Sequence, residues 1–384
     1  MRSNILNIGY GCTFWFKHLE DERFDGIGVY SKNLYDNLQN RHNLKLHRIT
    51  FLEGKRSTMP LDVQISRLKY AQHLLLNTLL KLEYGIPKEF TDSIDLFFAS
   101  DHHIPIISKK PVVATVMDMI SFSHPSWTSS NTVVRSMKNF LFKRLIESAC
   151  HIITISEYSK QDIMKYCRVK EEDISVVSLG VDRDFYTQIC QNQKELVLKK
   201  YGLKKKILLS VGTLQPRKNY ERMIEAYLKM DDSFQQKYQL VIVGKRGWKD
   251  EALVKELRRQ QTRESIIWLE FIPKSDLIAL IQSAEAMLYL SLYEGFGLPI
   301  VEAFASKCPV IASNVTSIPE VAKDCALLVD PYSLKEIQKA LYRVEDKDLI
   351  EELKAKAYKR ALEFSWKRAA DEHQKVFEKI VSCK

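Results

Sequence analysis

Ser291-Leu-Tyr-Glu-Gly-Phe-Gly-Leu-Pro-Ile-Val-Glu-Ala-Phe-Ala305 decides how the rest of the chain is read. It follows the apolar run Ala286-Met-Leu-Tyr-Leu290, which has the character of a buried parallel strand. Gly295 and Gly297 allow a sharp turn and a close approach of backbone to ligand. Pro299 suits the first turn of a helix, and Leu298, Val301 and Ala305 then share one face. Glu294 is thereby predicted in a loop after a strand, and Glu302 one turn into the helix. Free N–H groups at a helix start attract phosphate. An ionised carboxylate only accepts hydrogen bonds and so suits sugar hydroxyls. Together they suggest a sugar nucleotide. For an isolated pair of glutamates at this spacing, a cap and a solvated helix residue would be the simpler reading. Here both fall at the carboxyl end of a strand, where open α/β sheets bind ligands.

The chain has 384 residues, too many for one core, and this predicts two domains. Its 45% hydrophobic and 28% charged residues are those of a globular protein. The net charge of +10 fits nucleic acid, an anionic membrane or phosphorylated substrates. No Lys/Arg block resembles a nucleic-acid-binding tail, which favours a general attraction to anions. Seven scattered cysteines without a CxxC pair read as reduced thiols and not as a metal site. The amino terminus has no long apolar segment, and no run is long enough to span a bilayer. A cytosolic protein is expected, with peripheral contact to the inner membrane face as a possibility of the sequence.

In the first half, strands are predicted at Asn4–Gly9, Asp95–Ala99, Val112–Val116 and His151–Ile155. Gly26-Ile-Gly28 reads as a glycine turn before a helix over about Val29–Leu38. Ser31 stands where a full GxGxxG motif needs its last glycine, so a dinucleotide oxidoreductase is not supported, and a plain strand-to-helix turn has equal weight. Leu61–Leu82 has helical spacing, with core packing the default and a membrane-facing helix the minor alternative. Thr132–Cys150 is a predicted helix whose Arg135, Lys138, Lys143 and Arg144 read most simply as a solvated face. Either Ser156 or Ser159 can cap the following helix. Strand character is lost over about Arg183–Leu203, the predicted linker.

A second series of strands runs through Ile207–Val211, Leu240–Val243, Ile266–Leu269, Ala286–Leu290, Val310–Ala312 and Leu327–Val329. With helices between them it predicts another parallel sheet. Val211-Gly-Thr-Leu-Gln-Pro-Arg-Lys-Asn219 follows its first strand. Gly212 leaves room for a close backbone approach. Arg217 and Lys218 place a guanidinium fork and a point charge where a diphosphate would match them. Two surface cations before a helix would explain that stretch if it stood alone. Gly244 belongs to a further glycine turn, Val241–Trp248. Phe271-Ile-Pro273, with Ile272 at its centre, could hold a nucleobase through backbone groups, and both stretches fit ordinary loop packing equally well.

The ordered set of these motifs resembles the retaining glycosyltransferases of family 4, which have the GT-B fold of two Rossmann-like parallel-sheet domains facing across a cleft. The motifs are Gly26–Tyr30, Thr115–Pro125, Thr154–Ser159, Leu179–Asp182, Val211–Asn219, Val241–Trp248, Phe271–Ala305 and Pro309–Pro331. The resemblance covers essentially the whole chain, least at Asn40–Phe90. It implies an acceptor domain over residues 1–182, a donor domain over 183–365, and a last helix at 366–384 returning to the first domain. It implies that Glu294 contacts donor-sugar hydroxyls, with the N–H groups of Gly295, Phe296 and Gly297 nearby and Leu298, which opens the helix, also binding the donor. Glu302 would hold the ribose. Arg217 and Lys218 would neutralise the diphosphate, and Gly28 would approach it from across the cleft. Gly212, Gly244 and Ile272 join the implied donor site, and Asp118 the catalytic set. Members usually carry His-Asp after the strand Val112–Val116, whereas this chain has Met117-Asp118. Met cannot donate a hydrogen bond, so His102, His103 or His124 replaces the imidazole, Asp118 suffices, or activity is reduced.

The resemblance therefore implies transfer of a sugar, foremost mannose from GDP-mannose, with retention at the anomeric carbon. The implied acceptor is a saccharide or lipid-linked saccharide in cell-surface polysaccharide synthesis. No metal or other cofactor is expected beside the nucleotide sugar, and no nucleic-acid partner. The alternatives are a UDP-sugar-dependent transferase and a catalytically silent sugar-nucleotide-binding or scaffold subunit. A phosphorylase on the same fold is disfavoured because no pyridoxal-phosphate lysine motif is evident.

Overall fold

A computed structural model of the protein describes residues 5–17, 26–51, 60–70, 72–73, 85–107, 109–128, 132–248, 250–261 and 265–382. The chain divides into two units, residues 1–180 with 366–384, and residues 181–365. Each is organised around a parallel sheet. Short runs such as Leu96-Phe-Phe-Ala99 and Val310-Ile-Ala-Ser313 are buried along their whole length. Strands apolar on both faces need cover on both faces, and parallel strands with helical crossovers supply it.

In the first unit, β1 (Leu6–Gly11), β2 (Leu44–Thr50), β3 (Gln64–Ile65), β4 (Leu96–Ala99), β5 (Val112–Thr115), β6 (His151–Thr154) and β7 (Ile174–Val176) lie in the order β3-β2-β1-β4-β5-β6-β7. The second unit has β8 (Lys206–Val211), β9 (Tyr238–Val243), β10 (Ile266–Leu269), β11 (Ala284–Tyr289), β12 (Val310–Ser313) and β13 (Leu327–Val329), in the order β10-β9-β8-β11-β12-β13. Strand order reverses between β1 and β4 in one sheet and between β8 and β11 in the other. At such a reversal the loops leaving the two central strands diverge and open a crevice.

Three local expectations need correction. Gly26 and Gly28 do not form a turn before the helix; they lie in its first turn, Gly26–Leu38. The Leu61–Leu82 pattern is not one helix. Gln64–Ile65 is β3, paired to Ile49 and Thr50 of β2, and the Ser66 N–H donates to the Thr50 carbonyl. Edge pairing overrides the helical spacing there, and Leu61 is fully exposed. Tyr70, Gln72 and His73 are helical, as expected, and residues 71 and 74–82 of that pattern lie outside the described residues. The expected linker contains a helix, Gln191–Lys200, none of whose residues is buried. The sequence reading also missed β2, whose middle residues Lys45, His47 and Arg48 are exposed or half-buried and dilute its apolar signal.

Ser156, not Ser159, caps helix Glu157–Tyr166, accepting the Ser159 N–H at 3.0 Å. Helix Trp366–Ser382 packs on helix Gly26–Leu38. Arg41 pairs with Asp371 at 2.6 Å, and the Tyr30 hydroxyl lies 2.7 Å from His373 Nε2 and 3.0 Å from Thr115 Oγ1. His373 Nδ1 is 2.7 Å from the Ala369 carbonyl, which can only accept. Nδ1 therefore carries the proton, and Nε2 accepts from Tyr30. Burial disfavours a second proton and lowers the His373 pKa to about 4.

The unfolded chain, with a histidine pKa near 6.5, binds that proton first, so folding stability falls as pH drops from about 6.5 towards about 4. Between pH 7 and pH 5 this one group should cost about 2 kcal/mol. Urea midpoints of wild type and His373→Gln check it. The variant should be weaker at pH 7 yet lose less on going to pH 5, and equal pH slopes would refute the assignment.

Candidate functional site

The loops leaving β8 and β11 flank the reversal of the second sheet. After β8 the chain runs to a short turn at Pro216–Lys218 and stops at Asn219, whose φ of 60° is left-handed. Asparagine tolerates that conformation better than most residues. Its side-chain amide donates to the carbonyls of Leu290 at 3.1 Å and Pro331 at 2.9 Å, which fixes the corner. Helix Tyr220–Leu228 begins next. The corner directs Lys218 inward, where only 8% of it is exposed. The Leu292 N–H donates to the Arg217 carbonyl at 2.7 Å, tying the two loops together.

Glu294 is buried at the centre. One carboxylate oxygen lies 2.6 Å from Arg217 Nη1 and the other 2.7 Å from Lys218 Nζ. Lys218 also donates to the Tyr289 hydroxyl at 3.1 Å, and Arg217 Nε donates to the Gln215 side chain at 3.0 Å. Burial pushes the Glu294 carboxyl up, but Arg217 and then Lys218 outweigh it and hold it at about 2. Burial lowers Lys218 to about 8 against the pull of Glu294. At neutral pH the triad therefore holds two cations and one anion, a net charge of one positive unit. Such a cluster attracts anions, and its carboxylate can accept hydroxyl hydrogens.

The backbone from Glu294 to Gly297 is held from the far side. Ser317 Oγ lies 2.9 Å from the Glu294 carbonyl and 3.2 Å from that of Phe296, and the Glu294 N–H donates to Thr316 Oγ1 at 3.2 Å. Gly297, with φ 108°, occupies the cap position of helix Leu298–Ala305, and Pro299 lies in its first turn. That φ is open to glycine and strained for other residues. Gly295 and Phe296 are buried, and Leu298 is half-buried.

Gly212 and Gly244 bring two loops into backbone contact. The Gly212 N–H donates to Val243 at 2.9 Å, and a Cβ on Gly244 would meet the Gly212 carbonyl oxygen at 1.9 Å. A Cβ on Gly212 would sit 3.1 Å from Lys218 Cε. Both glycines thus have packing reasons independent of any ligand. Ile272 is buried between the exposed Phe271 and Pro273. Glu302 stands outside the triad's interactions. Burial and then Asp182 raise it to about 7, with Lys274 opposing, and Lys274 itself bridges Asp182 and Asp184 at 2.7 and 2.8 Å.

In the first unit Met117 is buried, and its carbonyl accepts from Ser159 Oγ at 3.0 Å. Asp118 accepts the Ile120 N–H at 3.1 Å. His103 Nδ1 is 2.9 Å from buried Asp101, the His102 ring packs 5.3 Å from Phe142, and His124 stacks on Trp127 at 4.0 Å. Gly28 is buried in its helix. Among the described residues no group of three His, Cys, Asp or Glu side chains could hold a metal ion.

The structure brings together Arg217, Lys218 and Glu294, with Gly212 against Lys218. It adds Tyr289, Asn219, Thr316 and Ser317, which the sequence reading did not select. Asn219 carried a signal, an asparagine between a basic turn and a helix, where left-handed backbone is common. Tyr289 was hidden inside an apolar strand, and Thr316 and Ser317 act across a distant loop.

Residues 193–363 match the family described as glycosyl transferases group 1, and residues 24–185 match glycosyltransferase family 4. The O-antigen chain mannosyltransferase B of Escherichia coli is 34% identical over 258 residues, 66% of this chain and 66% of that protein. The serotype-specific mannosyltransferase WbdA of Escherichia coli is 30% identical over 243 residues, 61% of this chain. The matched region is only 30% of WbdA's length. The crystal structure of Anabaena Alr3699/HepE in complex with UDP and glucose superposes with a TM-score of 0.74 at 17% identity, over 97% of this chain and 100% of that one. With two parallel-sheet units and both family matches in chain order, the protein belongs to the GT-B glycosyltransferases of family 4.

Proposed function

We propose that the protein transfers mannose from GDP-mannose to a saccharide, or a lipid-linked saccharide, of a cell-surface polysaccharide, with retention at the anomeric carbon. The observation that carries this reading is the buried Glu294 carboxylate held by Arg217 and Lys218 at the switch point of the second sheet. The names of the two Escherichia coli relatives favour mannose and an O-antigen-like product. The structural neighbour bound to UDP keeps a UDP-sugar as the second donor class to test.

In the proposed reaction the bond from the anomeric carbon to the diphosphate breaks while a bond to the acceptor oxygen forms, and the acceptor hydroxyl proton passes to the departing diphosphate. The departing diphosphate gains charge. Arg217 and Lys218 offer it a guanidinium fork and an ammonium, and Glu294 accepts hydrogen bonds from sugar hydroxyls. Glu302 would bind the ribose. With its pKa near neutrality it could accept a hydroxyl hydrogen when ionised or donate one when protonated. The proposal includes no metal or other cofactor, and a peripheral position at the inner membrane face.

A transfer assay across GDP- and UDP-sugars tests the reading, and GDP-mannose should be the best donor. No transfer from any donor to saccharide or polyprenyl-linked acceptors would favour a silent binding subunit. Glu294→Gln keeps the shape of the side chain and should lower transfer at least about tenfold, as expected for a lost charged hydrogen bond. A folded Glu294→Gln protein with near wild-type rates would refute its role. Arg217→Ala should lower kcat more than it raises donor KM, because leaving-group charge grows in the transition state. A change confined to KM would reduce Arg217 to ground-state binding. Excess EDTA should leave transfer intact. Its loss in EDTA and return with Mg²⁺ or Mn²⁺ would overturn the metal-free proposal.

A further inference from the structure

Tyr289 is the last residue of β11 and is buried. Side chains alternate along a strand. Ala286, Leu288 and Leu290 belong to the apolar core that includes Met223, Ile224 and Tyr227, so Tyr289 points to the other face. A Cβ on Gly297 would come within 3.5 Å of the Tyr289 ring, which therefore packs against the start of helix Leu298–Ala305. Packing at this position asks for a flat apolar ring, and phenylalanine would supply one. The hydroxyl is an addition that burial penalises unless it is hydrogen-bonded.

That hydroxyl is engaged by the charged cluster. It accepts from Lys218 Nζ at 3.1 Å, and its own proton donates to the Glu294 carboxylate. The ammonium lies 4.6 Å from the centre of the same ring, a cation–π contact. Burial and then the Glu294 charge raise the Tyr289 pKa well above its ordinary value, with Arg217 opposing, so the phenol keeps its proton. An ammonium has three N–H donors. Among the described residues Lys218 uses two of them, on Glu294 at 2.7 Å and on Tyr289. One bond alone would leave the ammonium free to rotate. Two fixed bonds on a tetrahedral nitrogen set the direction of the third N–H, the donor that a diphosphate oxygen can take.

We propose that Tyr289 is a positioning residue for transfer, whose hydroxyl fixes the Lys218 ammonium so that its remaining N–H is preset for the departing diphosphate. This deepens the reading of Lys218 as a leaving-group cation and rests on it. Tyr289→Phe keeps the ring, its burial and the cation–π contact, and removes the hydroxyl alone. In the transfer assay kcat should fall at least about tenfold, while donor KM changes less than about threefold, because leaving-group charge grows in the transition state. Lys218, lowered to about 8 by burial, faces the charges of Glu294 and Arg217 and the phenols of Tyr289 and Tyr220. Losing a hydrogen bond to the charged form lowers it further. The alkaline limb of kcat/KM, which reports the free enzyme, should then move to lower pH in the variant. The Lys218 Cε resonance of isotope-labelled protein, assigned by its loss in Lys218→Arg and titrated without donor, should shift its midpoint the same way. If wild type transferred no sugar, the functional reading would fail, and this titration would still decide whether Tyr289 holds the ammonium. Circular dichroism checks that the variant is folded. A folded Tyr289→Phe protein with unchanged kcat would overturn the proposal. So would a lower kcat with the limb and the Lys218 midpoint both unmoved, the mark of a merely structural role.

Discussion

Much of the second unit's switch point depends on one constraint, a buried carboxylate that must not be left alone. Removing Glu294 from water is costly, and its pairing with Arg217 and Lys218 offsets that cost. Taking away one partner of such a pair generally destabilises by about 3–5 kcal/mol, because the remaining charge stays buried. The cluster also joins the loop after β8 to the loop after β11, the two central strands between which strand order reverses. It therefore fixes the two loops at the switch point and sets their charge at once. The excess positive unit is a consequence of two cations sharing one carboxylate. A surface pair of one cation and one anion would have left no such excess.

Backbone packing sustains that arrangement. The loops after β8 and β9 approach until the Gly244 Cα lies against the Gly212 carbonyl, and Tyr220 donates to the same carbonyl at 2.7 Å. Lys218 Cε then fills the space beside Gly212. On the other side Thr316 and Ser317 hold the polar backbone of residues 294–296. Packing and chemistry are not separable here, since the glycines that let the loops meet also position the lysine that pairs with Glu294.

The parallel sheets were legible because their strands are short apolar runs buried on both faces, the pattern that sequence displays most clearly. Strand β2 was not, since Lys45, His47 and Arg48 interrupt it and its place is set by pairing with β1. The helix expected over Leu61–Leu82 does not hold over its first residues for a related reason: β3 is short and its pairing to β2 leaves no periodic trace. At the site, Arg217, Lys218 and Glu294 could be named from local motifs, but their mutual contact could not. It joins residues 76 positions apart, through a fold that only the strand order specifies. The same holds for Tyr289, which reads as strand core until the lysine is seen against its ring at 4.6 Å.

Met117 shows how a position can lose one property of its family and keep another. The resemblance places an imidazole there, and methionine has no proton to donate. Yet the Met117 carbonyl accepts from Ser159, whose own N–H is capped by Ser156, and the next residue, Asp118, accepts the Ile120 N–H. The backbone architecture at the end of β5 therefore does not need the imidazole. Of the three candidate histidines, His102 packs on Phe142, His103 pairs with Asp101, and His124 is stacked on Trp127, with its pKa lowered by burial. The proposed chemistry then falls on the Arg217–Lys218–Glu294 cluster, which lies wholly within the second unit and whose charges do not depend on the side chain at position 117.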